Sequence, residues 1–452
     1  MSKQISVNTS GLLKETLQMA WPAVLESFFV SLAGMIDTMM VATLGTYAVA
    51  AVGLTTQPKF IALAVFLSSN IAVSALVARR RGQDDRRSAN RILVTALWFT
   101  VIAAVVISLL TVIFCPQIMQ LCGSNADTHD AAVAYFNIIQ GCMIFNVLSL
   151  VINAAQRGSG NTRIAMTTNV TSSVINIIFN YLLIGGHFGF PRLELQGAAI
   201  ATVLGTVVAC GMSLRSLFRE DSYVSIPYIR KHKVRPHLDT VQSIVRLGSN
   251  MLLENFAMRV GFLYTALIAA RLGTDAFAAH QVGMNFLSLA FSFGDGMQVA
   301  AVALIGRSLG EKDTEKAKIY GRMCQRTGLC ISLVLAAVLL FFGRQLFSLF
   351  FQEDAVLDLG VMICRFITVI VLFQISQIIY GGCLRGAGDV KYTLFAALIS
   401  VTIIRTAMTW ICTSVLTLGL AGIWIGILSD QMSRFILLSH RFRQGEWTKL
   451  NI

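Results

Sequence analysis

Few residues of this chain could do chemistry inside an apolar medium. Within its long hydrophobic stretches stand Glu26, Asp37, Lys59, Glu254, Arg259, Asp295, Arg365, Arg405, Asp430 and Arg434. A charge in the middle of a spanning helix costs about 2.5–3.5 kcal/mol on insertion scales, so each needs a partner or a task. Glu26 and Asp37 lie eleven residues apart in the first stretch. That is almost a whole number of helical turns, placing both on one face about 16 Å apart along the axis. A carboxylate held in a dry environment can take up a proton or a sodium ion, and its charge changes with occupancy. Asp37 is read as an ion-coupling residue. The plainer reading is a structural ion pair with Lys59 of the second stretch. The two are compatible, since protonating Asp37 would release Lys59. For Glu26 the structural reading is preferred, with a substrate or second-proton role as the alternative. Asn176 and Asn180 stand one turn apart on one face of the fifth stretch, and Thr202 is in the sixth. Their neutral oxygens suit a hard monovalent cation, although buried asparagines equally pin helices together. Glu254 is the candidate for a cationic substrate or a second proton. Arg405, Asp430 and Arg434 read as an intramembrane ion cluster, with Asp430 and Arg434 spaced i,i+4.

The elements that must position these residues are membrane helices. The 452 residues are 55% hydrophobic and only 13% charged, against about 25% charged in soluble domains. The mean hydropathy is +0.69. About twelve apolar runs reach the roughly 20 residues a span requires. They lie near 17–43, 50–78, 92–114, 131–156, 163–186, 196–217, 243–270, 278–306, 326–350, 357–384, 391–416 and 419–440. The runs are continuously apolar rather than alternating, which excludes a β-barrel. The expected class is therefore an all-α integral membrane protein of twelve transmembrane helices.

The basic residues predict orientation. Arg79 to Arg91, Arg215 to Arg246 and Arg307 to Arg326 crowd the second, sixth and eighth connections, whereas the odd-numbered connections are nearly bare. By the positive-inside rule every even connection and both termini are expected in the cytoplasm, with the chain in the cell membrane. The net charge of +13 is then accounted for by orientation signals and contact with anionic membrane lipid. Nucleic-acid binding would want that charge on one folded surface with motif support, and none is present. The polar start, Met1 to Gly11, carries no signal-peptide pattern. Nine cysteines show no metal-ligand spacing; Cys115 and Cys122 alone could meet outside, and otherwise serve as small apolar residues.

The chain is also a repeat. Leu44-Gly45-Thr46-Tyr47-Ala48-Val49-Ala50-Ala51 returns 228 residues later as Leu272-Gly273-Thr274-Asp275-Ala276-Phe277-Ala278-Ala279. At the same offset Arg157-Gly158-Ser159-Gly160-Asn161 returns as Arg385-Gly386-Ala387-Gly388-Asp389, and Glu26 falls on Glu254. Six helices per copy predict two parallel six-helix repeats about an axis along the membrane normal, with a cleft between the lobes. The lobes are placed at 1–220 and 239–452, joined by a basic cytoplasmic linker at 221–238 that contains Pro227 and Pro236. They are chemically unequal, because Asp37 falls on Thr265. Phe28, Phe29, Met35, Met39 and Met40 could line a cleft for apolar cations, though such stripes more often meet lipid or a neighbouring helix.

The repeated segments resemble the multidrug and toxic compound extrusion (MATE) family over essentially the whole chain. The resemblance rests on the block Leu44 to Arg91, on Arg157-Gly158-Ser159-Gly160-Asn161-Thr162 and on Gly197-Ala198-Ala199-Ile200-Ala201-Thr202. It extends to the block Leu272 to Gly310 and to Leu384-Arg385-Gly386-Ala387-Gly388-Asp389. It implies an antiporter that expels organic, often cationic and amphiphilic, compounds such as drugs while sodium or protons flow inward. It further implies a first-helix acid in coupling, which Asp37 matches, a first-lobe ion site to which Asn176, Asn180 and Thr202 correspond, and a seventh-helix acid, which Glu254 matches. The chain departs from the family in having Asn180 where some members have Asp. It also has Gln374 and Gln377 where a tenth-helix acid stands in sodium-coupled members, Asn250 where Pro often stands, and Lys59. These departures leave the coupling ion open between Na+ and H+.

The expected function is secondary active export by alternating access, without a cofactor, on small organic molecules and as a monomer. The alternative is a flippase for lipid-linked oligosaccharides or precursors of the same superfamily, hinted at by Lys59 and Arg259. An enzyme is not expected, since no nucleophile–base pair or metal motif occurs. ATP-driven transport lacks its phosphate loop.

Overall fold

The computed structural model describes residues 9–122, 124, 126–272, 274–348 and 353–450. Lipid offers no partner for backbone N–H and C=O groups, so apolar runs of this length must satisfy them internally as helices. Among the described residues helices dominate and no strand forms. In chain order the spanning elements are α1 (Thr9–Ala42), α2 (Thr46–Gly82), α3 (Arg86–Ile113) and α4, in two parts, Ala126–Gly141 and Met143–Gly158. Then follow α5 (Thr162–Gly185), α6 (Glu194–Leu217), α7 (Leu238–Arg271), α8 (Thr274–Gly310), α9 (Thr314–Ser348) and α10 (Asp354–Ala387). The last are α11 (residues 390–415) and α12 (Gly419–Gln444).

Nine of these helices are individually long and apolar enough to cross a membrane, and the two parts of α4, bent by 46°, together make a tenth. α7 and α12 are long enough but are diluted by Arg246, Glu254 and Arg259 and by Asp430, Gln431 and Arg434. Large apolar side chains such as Trp98, Leu109, Val334 and Phe341 project outward from α3 and α9, as lipid-facing positions should. Cys115 and Cys122 are free thiols at the two ends of a short helix, Cys115–Leu121 and its C-cap.

α11 is not a uniform helix. Leu398–Arg405 and Ile411–Val415 are π-helical, and Thr406–Trp410 between them is α-helical. Its repeat counterpart α5 is a regular α-helix. A π turn accommodates one more residue than an α turn and often marks a functional position.

The chain forms two compact units, Leu25–Ser249 and Asn250 onward, the latter joined by α1 up to Val24. Thus α1 and α7 each run from one unit into the other. The passage in α1 falls two residues after Pro22, which removes one helical hydrogen-bond donor. The start of α1 is fixed in the second unit through Glu15, which accepts from Arg307 at 2.9 Å and from the Tyr320 hydroxyl at 2.5 Å.

The repeated motif has a structural meaning that is the same in both units. A side chain at Gly158 would strike the backbone carbonyl of Ser74, and one at Gly386 that of Val302. Ser74 and Val302 are themselves repeat-related. The second glycines, Gly160 and Gly388, have φ of +85° and +87°, a region that favours glycine. Asn161 and Asp389 then stand at the N-caps of α5 and α11. Gly273, the repeat partner of Gly45, lies outside the described residues.

Candidate functional site

In the first unit, α1, α5 and α6 bring together four of the predicted residues. Asn180, fully buried, donates from Nδ2 to Asp37 Oδ1 at 2.5 Å. One turn earlier, Asn176 Nδ2 donates to Thr202 Oγ1 at 3.2 Å, and that hydroxyl donates to the Ala198 carbonyl at 3.0 Å. The helices approach closely because Gly205 of α6 has no side chain: a Cβ there would stand 2.8 Å from the Ser172 carbonyl and 3.4 Å from the Asn176 Cβ. The buried Asn180 Oδ1 accepts no hydrogen bond among the described residues. The site thus offers a half-buried carboxylate, an unused amide oxygen and a hydroxyl. Such oxygens suit a proton on the carboxylate or a hard cation shared among them.

Lys59 does not touch Asp37. Among the described residues no ion pair within 4 Å reaches that carboxylate, but Lys59 and the buried Tyr135 phenol stand within electrostatic range of it. Asp37 therefore carries one neutral donor and a distant positive charge.

The other buried carboxylates are paired. Arg157 forms an ion pair with Glu26, and Asn169 Nδ2 donates to the same oxygen at 2.5 Å. In the second unit Arg385 Nη2 lies 2.5 Å from Glu254 Oε1, Thr393 donates to Oε2 at 3.1 Å, and Arg385 Nη1 donates to Gln298 Oε1 at 2.5 Å. The arginines were visible in the sequence as repeated letters, but their role as partners was missed. Spacing gave no signal, because the equal interval of 131 residues from each glutamate to its arginine follows from the repeat offset alone. Repeat-related acids paired with repeat-related bases imply one contact made twice.

Deeper in the second unit, Arg405 Nη2 donates to Thr265 Oγ1 at 3.1 Å, and Nη1 reaches Asp430 Oδ2 at 3.5 Å. Arg434 Nη2 holds Asp430 Oδ1 at 2.7 Å. The ion cluster expected from the sequence is present. Gln377 of α10 donates to Gln431 at 3.1 Å, and Gln374, three residues earlier, is buried. Among the described residues no group of His, Cys, Asp and Glu could hold a metal ion.

Comparison with known proteins bears on this arrangement. The MatE family model matches residues 22–182 and again 251–411, one match per repeat. A probable multidrug resistance protein NorM of Thermotoga maritima is 26% identical over 437 residues, covering 96% of this chain and 93% of the relative. An uncharacterized transporter, YisQ, of Bacillus subtilis is 22% identical over 95% of this chain and 94% of its own length. Among solved structures, a MATE crystallised in complex with MaD3S superposes with a TM-score of 0.89 at 22% identity, covering 96% of this chain and 97% of that one. A MOP superfamily transporter from Pyrococcus furiosus, described as having a binding pocket of reverse polarity, also gives 0.89, at 22% identity and 97% coverage of both chains. With the model matched in both halves and the fold shared end to end, the chain belongs to the MATE family: it is a multi-pass membrane protein and a secondary transporter, not an enzyme.

Proposed function

We propose that this protein is an antiporter that exports organic, often cationic and amphiphilic compounds, drugs among them, in exchange for inward Na+ or H+. The observation that carries this reading is the contrast at Asp37. Glu26, Glu254 and Asp430 are each ion-paired to arginine, whereas among the described residues Asp37 meets the Asn180 amide and no cation within 4 Å. A carboxylate without a contacting counter-charge in a low-dielectric surrounding binds a cation or proton with most to gain. The charge change on loading then biases one conformation over another, which is what alternating access requires. Asn176, Asn180 and Thr202 supply the neutral oxygens around the ion, and Lys59 sets the local field. Glu254 and Glu26 are the places where a cationic substrate or second proton would compete with Arg385 and Arg157.

In this reading the basic even-numbered connections and both termini face the cytoplasm, the protein lies in the cell membrane, and the working unit is a monomer. No cofactor takes part beyond the coupling ion.

The test is efflux of a fluorescent cationic dye from proteoliposomes under an imposed sodium gradient or an imposed pH gradient, with Asp37→Asn alongside. Transport driven by one gradient and lost in the variant establishes the antiporter and names the ion. Dye that moves under neither gradient overturns the reading and directs attention to lipid-linked substrates.

A further inference from the structure

The first-lobe site has a counterpart in the second unit that a constant sequence offset conceals. Thr265 follows Glu254 by the same eleven residues by which Asp37 follows Glu26. In α5, Asn176 lies 15 residues after the N-cap Asn161; in α11, Arg405 lies 16 after the N-cap Asp389. The additional residue is taken up by the π-helical turns of Leu398–Arg405. The crossing with the following helix confirms the shifted register. A Cβ on Gly197 of α6 would meet the backbone of Leu183, and one on Gly422 of α12 the backbone of Cys412. Leu183 and Cys412 lie 22 and 23 residues after their N-caps, again one apart. Counting from those glycines, Asp430 occupies the place of Gly205 and faces Arg405, as Gly205 faces Asn176.

Corrected for that residue, the two sites hold opposite charge. Asp37 is replaced by a hydroxyl, Thr265, and the Asn176 amide by the Arg405 guanidinium. That guanidinium donates to Thr265 Oγ1 at 3.1 Å and lies 4.7 Å from the centroid of the Phe262 ring. It is 1% exposed, and Thr265 and Asp430 are fully buried. Pinning helices together does not explain this charge, because an apolar group of similar volume does so at no greater cost. Two arginines on one carboxylate also leave the cluster with an excess positive charge, which repels any further cation.

We infer that Arg405 is a tethered cation standing in the second-lobe counterpart of the coupling site, so that the protein carries one exchangeable coupling cation per cycle, at Asp37, and a permanent one at Arg405. The inference rests on the first-lobe cation site proposed above and explains the inequality of the lobes. One lobe changes charge during transport and the other is held in the loaded condition.

The test is binding of radiolabelled guanidinium to the purified full-length chain. Wild type takes up none at this site. Arg405→Ala takes up roughly one per chain, because the vacated acceptors and the Asp430 charge remain. Adding Asp430→Asn abolishes that uptake, and adding Asp37→Asn leaves it. A folded Arg405→Ala that binds no guanidinium overturns the inference, as does uptake lost with Asp37→Asn but retained with Asp430→Asn. If Arg405→Ala does not fold, melting temperatures decide. Arg405→Lys keeps a tethered cation and must melt above the neutral Arg405→Gln; an equal or reversed order overturns the inference. Coupled efflux that survives Asp37→Asn while the guanidinium result holds sinks the assignment of Asp37 and leaves that of Arg405.

Discussion

The two units differ most where their sequences correspond. In the first unit the Asp37 carboxylate accepts from the Asn180 amide, beside the Asn176–Thr202 pair; in the second the Thr265 hydroxyl accepts from the Arg405 guanidinium, which shares Asp430 with Arg434. Nearer the repeated motif, by contrast, the units are alike, with Glu26 on Arg157 and Glu254 on Arg385. The packing contact is thus the same in both units, and the site is not. A buried ion pair is hard to change on one side alone, because the abandoned charge is costly. In the reading proposed above, a site that exchanges its ion with water escapes that constraint, so that one copy can hold a fixed cation instead.

This contrast can be broken at several points. The largest expected effect is on stability: Asp430→Asn leaves Arg405 and Arg434 without their carboxylate and should cost about 3–5 kcal/mol, read as a lowered melting temperature and poor yield in detergent. Wild-type stability in that variant would mean that the cluster is not an electrostatic unit. Asp37→Asn should do the opposite, leaving a folded and inserted protein whose gradient-driven dye efflux falls roughly 100-fold, near the upper range of coupling free energies. Undiminished efflux would remove Asp37 from the mechanism.

Glu26→Gln and Glu254→Gln should each cost about 2 kcal/mol, the worth of charged hydrogen bonds lost from a buried guanidinium. If the contact is one interaction made twice, the two penalties match; a transport defect confined to Glu254→Gln would instead mark it as a substrate site. Lys59→Met withdraws a positive charge from the field at Asp37. The pH profile of efflux should move by about one unit, the size of one screened charge. An unmoved profile would show that Lys59 does not act on Asp37. The smallest effect is expected for Asn176→Ala, about 1 kcal/mol or fivefold in coupling-ion affinity, from a single neutral hydrogen-bonding group. A far larger loss would make Asn176 an obligatory ligand.

Much of the fold could be read from the chain because its signals are local. Continuous apolar runs must be helices in lipid, and the 228-residue offset identified the repeated motif before its glycines were seen against Ser74 and Val302. The neighbourhood of Asp37, Asn180, Asn176 and Thr202 was likewise expected, from helical spacing and family resemblance. The pairing of Glu26 with Arg157 was not, since partners 131 residues apart leave no periodic trace in one sequence.

By itself, then, the sequence determined the class of protein, the twofold repeat and the short list of charges that an apolar interior cannot ignore. Only the tertiary structure decided which of those charges neutralise one another. Asp37 has Lys59 at a distance rather than in contact, whereas Arg405 is turned by a π-helical segment onto Thr265 and Asp430. The physical reason is that a helix period predicts which residues share a face, but one inserted residue rotates every later side chain by about 100°. Such an insertion shows itself only in the way the helices cross.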